Sequence, residues 1–552
     1  MKFLKTTIAL SLATALPALA QQAPDAGRVL QETLPPTLSA PRQMTGIVIQ
    51  KPVTEAVPAG GATITVKSLR FTGNARFADA VLLSVLGEVT KQSFDLAGLR
   101  GLADKITQHY HANGYPFARA FLPAQNITDG VVRIDIVEGR YGKVQATGDA
   151  ALRSRAQDFL APLKPGAVIE SDALERASLI LNDQPGIQTT PLIRPGQELG
   201  TGDLLVNVSR TPLVHGDVGA DNHGNRYTGA LRLRANLLLD SPFLFGDQVT
   251  LRGIYSEEGL WLGSLGYSLP LGASGLRANV SYAHTYYELG KTFASLDAHG
   301  TAKVASAGLS YPLVRSQQSN LTLGTTWQHK KLNDQQDGTD TNNDKSSNSA
   351  VFAMPFDHRD GLGGGGITYG NLSYTLGWLK LDSALESTDR SSGTNTRGDF
   401  SKWNLDVARL QALPANFNLF ARISVQWADK NLDSSEDFSL GGPNGVRGYP
   451  VGEGIGDKGW LAQIELRYQW QNFAPYFFYD VGRVRINADP GPITPAVQNN
   501  TRSLAGSGFG LRYADARWNA DVNLAWRNRG GEPTADTRDN QPRVWATASY
   551  KF

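Results

Sequence analysis

The sequence predicts two small α+β modules followed by a transmembrane antiparallel β-barrel. Three observations carry this reading. The chain opens with an export signal. A β-α-α-β-β order then occurs twice between residues 61 and 210. After Thr211, ten-residue segments alternate apolar and polar side chains, several of them bracketed by tryptophans.

Composition sets the outer limits. At roughly 150 residues per domain, 552 residues suggest three or four domains. Lys+Arg 53 against Asp+Glu 51 gives a net charge of +2, which points to no nucleic-acid partner. A hydrophobic content of 41% excludes a disordered chain. A mean hydropathy of −0.27, with no 18-residue apolar run beyond the first twenty residues, excludes a polytopic helical membrane protein. The absence of cysteine removes disulfides, thiolate chemistry and cysteine-ligated metals. Its 58 glycines exceed the usual share of roughly 7%.

Lys2 and Lys5, the apolar stretch Ile8 to Leu16 and Ala18-Leu19-Ala20 make a signal peptide over residues 1–20, cut after Ala20. The mature chain is expected to start near Gln21 and to work outside the cytoplasm, where ATP is absent. Residues 21–60 hold six prolines between Pro24 and Pro58 and read as an extended linker. Within it, Ala26 to Leu34 forms a short helix with Val29, Leu30, Thr33 and Leu34 on one face, stopped by Pro35-Pro36. Nine residues cannot hold a helix alone, so this one needs a docking site.

Residues 61–139 form the first module. Ile64 to Phe71 is strand-like, and Ala78 to Leu86 is helical. Asp95 caps a second helix in which Leu99, Leu102, Ala103, Ile106 and Tyr110 share a face. Pro116 to Leu122 is a strand, and Val132, Ile134 and Ile136 alternate in another. Residues 140–210 repeat the order: strand Tyr141–Ala146, helices Ala151–Leu160 and Asp172–Asn182, strand Ile187–Arg194, and a last strand on Leu204, Val206 and Val208.

In residues 211–552 no helical period persists. Trp460, Ala462, Ile464, Leu466, Tyr468 and Trp470 oppose Gln463, Glu465, Arg467 and Gln469. Trp518 to Trp526 alternate in the same way against Asn519, Asp521 and Asn523. Tryptophans at both ends of a strand are the double aromatic girdle of an outer-membrane barrel, and the polar face suits a water-filled lumen. Closure satisfies every backbone amide, as lipid requires. The last strand, Arg543 to Phe552, ends on Phe552, the signal read by barrel-insertion machinery. About 340 residues at about ten per strand, plus loops, fit roughly 14–18 strands. Asn333 to Asn348 and Glu386 to Arg397 read as long polar outer loops. A barrel of this size must be plugged when idle.

Catalytic signatures are missing: no G-x-S-x-G, no H-E-x-x-H, no Walker loop. Asp334, Asp337, Asp340 and Asp344 lack EF-hand spacing and read as a solvated loop. No enzyme, cofactor or metal is expected.

One loop is specific. Gly441 to Tyr449 contains Val446-Arg447-Gly448-Tyr449, and Phe478-x-Asp480-x-Gly482 follows about 30 residues later. This pairing resembles the outer-membrane protein-transport superfamily. With two modules, a short helix and a linker upstream, the chain resembles the two-partner secretion transporters of TpsB type, the haemolysin and haemagglutinin exporters. The resemblance implies POTRA modules, a 16-stranded barrel, and a loop 6 that carries Val446 to Tyr449 back into the lumen. It makes Ala26 to Leu34 a plug. It implies an unfolded partner exoprotein captured in the periplasm at the modules' edge strands, Tyr115 to Leu122 and Ile187 to Arg194, with Phe117, Arg119, Phe121, Thr189 and Leu192 as contacts, and passed outward without nucleotide. Outer-membrane lipid and the barrel-assembly machinery are further partners. An outer-membrane assembly factor shares the V-R-G-Y loop and the modules, but usually has more modules and no plug helix. A nutrient porin shares the barrel alone. Physically, Arg447 is a fork suited to a carboxylate. Phe478, Asp480 and Gly482 share one parity, which must be the lumen if Asp480 is to avoid lipid. Gly448 permits the close turn, and Gly482 is expected to leave room for Tyr449 or another aromatic.

Overall fold

The computed structural model describes residues 23–34, 38 and 60–552. The signal peptide expected at residues 1–20 and most of the linker lie outside the described residues.

Both modules have the expected main elements, but in the first the expected strand Ile64–Phe71 is two, Ile64–Thr65 pairing with an added strand Ser93–Phe94 between the helices and Ser68–Thr72 joining the main sheet. In the first, the strand Val131–Val137 lies centrally, parallel to Ser68–Thr72 and antiparallel to Arg119–Phe121. Helices Asp79–Leu86 and Leu96–Ala112 cover one face. The Asp95 carboxylate caps the longer helix, accepting from the Gly98 amide at 2.7 Å. All five residues of its predicted apolar face are buried. At the helix end, the Tyr110 hydroxyl donates to the buried Glu138 carboxylate at 3.1 Å. Burial, then this carboxylate, raise the Tyr110 hydroxyl above its ordinary value, so it remains a donor. The second module repeats the sheet with Thr201–Arg210 between Arg140–Gly148 and Ile187–Pro195.

The second module is fastened to the barrel. Arg315 makes a bidentate pair with Asp183, both contacts 2.6 Å. Arg176 donates to the Pro312 carbonyl at 2.7 Å, and Arg277 to the Gln184 side chain at 3.0 Å. Ser241 donates to the Pro185 carbonyl at 2.6 Å. These bonds reach three periplasmic turns. They explain why Leu179 and Ile180 are buried beside the predicted face of helix Ser171–Asn182: Ile180 packs beside Gly275 in one of those turns.

The barrel is closed, antiparallel and sixteen-stranded, from Val214–Asp221 to Arg543–Lys551. Inward and outward faces follow the predicted alternation. On strand Phe473–Arg485, Tyr476, Phe478, Asp480 and Gly482 are buried, while Phe477 and Tyr479 face out. Trp460, Trp470 and Trp518 are exposed on the outer wall. The modules precede the first strand and therefore mark the periplasmic end.

Two loop expectations change. Asn333 to Asn348 is the top of a hairpin, because strands Ser319–Gln336 and Thr341–Asp360 continue in register to Gln336 opposite Thr341. Polar residues on both faces suit a ladder that has risen out of lipid. Glu386 to Arg397 contains most of a helix, Ser383–Ser392, capped by Asp382 through the Leu385 amide at 2.8 Å.

The module edges also differ from the expectation. Phe117 precedes the edge strand Arg119–Phe121 and packs against the core of the second module. It is an interface residue and does not line an edge. On the edge Ile187–Pro195, the Thr189 amide points outward but donates to Asn182 Oδ1 at 3.1 Å. The Ile187 amide is taken by the Gln184 carbonyl at 3.1 Å, and Pro191 and Pro195 have no amide. By alternation, Ile193 is the outward position with a donor still to offer, and the Leu192 amide faces the ladder opposite Leu205. Prolines on an edge blunt it against further pairing. In the first module Thr107 Oγ1 accepts from the Ala120 amide at 2.9 Å in the same manner. Leu192→Pro is therefore expected to cost about 3 kcal/mol through the lost ladder bond, and Thr189→Pro about 1 kcal/mol. Limited proteolysis of the purified protein checks this: faster cleavage in the second module for Leu192→Pro only.

Candidate functional site: an occupied lumen

Loop 6, residues 429–457, leaves the eleventh strand, Phe417–Ala428, and folds back into the barrel before the twelfth, Lys458–Tyr468. Its turn is internally bonded: the Val446 amide donates to the Leu440 carbonyl at 2.7 Å and the Tyr449 amide to the Val446 carbonyl at 3.0 Å. This presents Arg447 to the wall.

Arg447 is 3% exposed and Asp480 0%. Arg447 Nε and Nη2 meet the two Asp480 oxygens at 2.8 and 2.7 Å, and the Arg447 amide adds a third bond at 3.1 Å. Nη1 donates to Glu465 at 2.7 Å. The guanidinium carbon lies 3.6 Å from the Phe478 ring centre, a cation–π contact that also excludes water. Glu465 further pairs with Arg467 at 2.7 Å and Arg512 at 3.0 Å, and Arg512 pairs with Asp521 at 2.8 Å. Three arginines thus face three carboxylates, and the cluster, buried at Arg447, Asp480 and Glu465, is neutral.

Gly448 lies against the wall: a Cβ would sit 2.9 Å from the Trp526 carbonyl oxygen. Gly482 makes room for Leu440 of loop 6, 2.6 Å from where its Cβ would be, and not for Tyr449 as expected. Tyr449 turns instead to loop 8, residues 530–542, and donates to the Arg529 and Gly531 carbonyls at 2.9 Å. The remaining ties were not singled out in the sequence. Trp545 Nε1 donates to the Arg447 carbonyl at 2.8 Å. Glu453, fully buried, accepts from Arg502 at 2.6 Å and from the Thr534 and Ala535 amides at 2.7 and 2.9 Å.

Above this cluster lies the short helix Ala26–Thr33, with Asp25 as its cap. Val29 and Leu30 are buried among Ile254, Leu262, Tyr287 and Leu332 of the inner wall and Tyr227 of the loop between the first two strands. Leu34 does not share this face. It is the C-cap, in extended backbone, and is half-exposed. Gly27 rests on loop 6, where a Cβ would lie 2.2 Å from Ser434 Oγ and 2.6 Å from the Ser435 nitrogen. Lys345 on the wall joins both bodies, 2.9 Å from Asp25 of the helix and 2.8 Å from Asp433 of loop 6. Asp334, read as part of a solvated loop, accepts from the Ala26 amide at 2.6 Å. Burying two aliphatic side chains is worth about 3–6 kcal/mol before ordering costs. A helix held this way can dock and leave. Gly27→Val is expected to raise the frequency of open-channel events in planar bilayers several-fold, because its Cβ clashes with loop 6 backbone.

Among the described residues, no group of three or more His, Cys, Asp or Glu is placed to hold a metal.

A closed barrel with two modules and a doubly occupied lumen narrows the choice, and comparison with known proteins decides it. The model of the family described as haemolysin secretion/activation protein ShlB/FhaC/HecB matches residues 200–513. The chain belongs to this family. A ShlB-type POTRA domain matches residues 64–139. The heme/hemopexin transporter protein HuxB of Haemophilus influenzae (strain 86-028NP) is 28% identical over 443 residues, covering 79% of this chain and 78% of HuxB. The outer membrane transporter CdiB of Dickeya dadantii is 25% identical over 500 residues, 87% and 85% of the two chains. The solved CdiB from Escherichia coli superposes with a TM-score of 0.72 at 22% identity, over 91% and 93% of the two chains, which shows the shared fold. As a ShlB/FhaC/HecB family member, the protein is an outer-membrane transporter for secreted proteins, with its POTRA modules in the periplasm.

Proposed function

We propose that this transporter captures one unfolded exoprotein at its POTRA modules and passes it through the lumen, with folding outside giving direction. The observation that carries the reading is the way the lumen is filled. Both occupants, the helix Ala26–Thr33 and loop 6, are held by polar clamps and small apolar patches that can be remade. The exoprotein belongs to the class its relatives' names describe: haemolysins, heme- or hemopexin-binding proteins, or the cargo of a CdiB. The barrel-assembly machinery inserts the barrel, reading the strand that ends on Phe552. At the modules, Arg119 and Phe121 on one edge and Leu192 on the other present side chains for capture, Phe121 and Leu192 being exposed. Since Asn182 and Thr107 occupy outward amides, strand addition at these edges would first displace them, and Ile193 is the outward amide that needs no displacement.

The test is secretion. A strain lacking the chromosomal copy and expressing a large exoprotein encoded beside it should release that exoprotein only when the gene is restored. Retention of the exoprotein in the periplasm with the restored gene would refute the reading. A general loss of other outer-membrane proteins on deletion would show an assembly factor instead.

A further inference from the structure

The barrel closes on a short seam. Strand Arg543–Lys551 pairs with the first strand only over Thr547–Lys551 opposite Asp217–Asp221. Above Thr547 the seam continues through Asn222: its amide donates to the Ala546 carbonyl at 3.2 Å, its Oδ1 accepts from the Ala546 amide at 2.8 Å and its Nδ2 donates to the Val544 carbonyl at 2.9 Å. The gap left higher still, between the first and last extracellular loops, is a cavity of about 540 Å³.

The lining of this notch is cationic. Arg226, Lys291, Arg538 and Arg543 face it against two carboxylates, Glu257 and Asp536. Arg543 is 8% exposed, yet its Nε and Nη2 have no hydrogen-bond partner. The carboxylate that pairs with it is distant, Nη1 lying 3.7 Å from Asp536 Oδ2. Arg226 Nη1 donates to Asp536 at 3.1 Å, while its Nε is also buried and unpartnered. The contrast with Arg447, whose Nε, Nη1 and Nη2 all meet carboxylate oxygens, is direct. Buried arginine donors left open beside a cavity ask for an acceptor. Asp536 is the carboxylate both forks share, and two guanidinium groups lining one gap suit a tetrahedral oxyanion.

We propose that this notch binds a phosphate group. Leu231 and Val544, exposed on the outer wall, also line it. The notch therefore opens at the height of the outer leaflet. The phosphate is carried either by a phosphorylated lipid of that leaflet or by free phosphate from the medium.

Full-length protein in detergent distinguishes these sources. The probes are lipopolysaccharide with its phosphates intact, the same lipopolysaccharide after enzymatic dephosphorylation, and inorganic phosphate. The expected result is binding of the intact form at least tenfold tighter than the dephosphorylated form. Arg543→Gln and Arg226→Gln should each remove that preference, and Arg543→Lys should keep part of it. A rise in unfolding temperature with inorganic phosphate, without preference for intact lipopolysaccharide, would support the site with a free ligand as its source. Equal binding of both lipopolysaccharides together with no response to inorganic phosphate overturns the proposal. So does unchanged preference in heat-modifiable Arg543→Gln and Arg226→Gln proteins. Competition between phosphate and lipopolysaccharide on the unmodified protein gives the same decision without any variant.

Discussion

Arg447→Ala is expected to leave an inserted, heat-modifiable barrel and to lower exoprotein secretion at least tenfold. The substitution leaves Asp480 fully buried without a counter-charge and takes one of three arginines from Glu465. Leaving a buried charge unpaired costs about 3–5 kcal/mol. The loop is where that cost is relieved, because the wall strands are locked by their ladders while loop 6 can lift away and admit water. Insertion should survive because the sixteen-strand register does not depend on the loop. Arg447→Lys should fail nearly as badly, since a single ammonium cannot span Asp480 and Glu465 in the guanidinium's geometry. Secretion assayed beside heat-modifiability is the check, and normal secretion by Arg447→Ala would show that the buried pair is dispensable.

Deleting residues 23–34 should raise single-channel conductance in planar bilayers several-fold while secretion continues. The helix fills the lumen against Ile254, Leu262 and Tyr287, and loop 6 does not cover that wall by itself. Without the helix, Lys345 keeps Asp433 as a partner, so loop 6 should stay in place and the added conductance should be a stable level. Unchanged conductance would mean that the helix does not limit the pore. Loss of secretion would mean that it does more than fill space.

Much of this architecture was legible because alternation and helix periodicity are local. Phe478 and Asp480 share a face by parity alone, and the five apolar positions from Leu99 to Tyr110 follow from 3.6 residues per turn. What could not be read is which inward residues meet across the lumen. Glu465 falls on the polar face of its strand, but nothing in its neighbourhood says that a loop residue will reach it. Lys345 and Asp334 looked like parts of a polar loop because the strands that carry them rise beyond lipid, where alternation loses its apolar half. Leu34 fits the helix face on a wheel but lies one residue past the last turn. Pro191 and Pro195 stand in the sequence, yet the expectation of an open capture edge over Ile187 to Arg194 passed over them. The capping of Thr189 by Asn182 needs the helix end placed beside the strand, which only the fold supplies.

The short seam has a mechanical consequence. Elsewhere the ladders are long, the sixth and seventh strands running from Ala298 opposite Gln336 to Arg315 opposite Asn320. At closure, Thr547–Lys551 is extended only by the paired backbones of Gly216 and Phe552 below and by Asn222 above. Hoop tension in a closed sheet is the same at every joint, so rupture starts at the joint with fewest bonds. The temperature at which the protein changes its mobility on a gel should therefore report this one joint and not the average of the wall. Asn222→Ala, far from both lumen occupants in sequence, should lower it, while a comparable cut in the sixth-to-seventh ladder should scarcely move it.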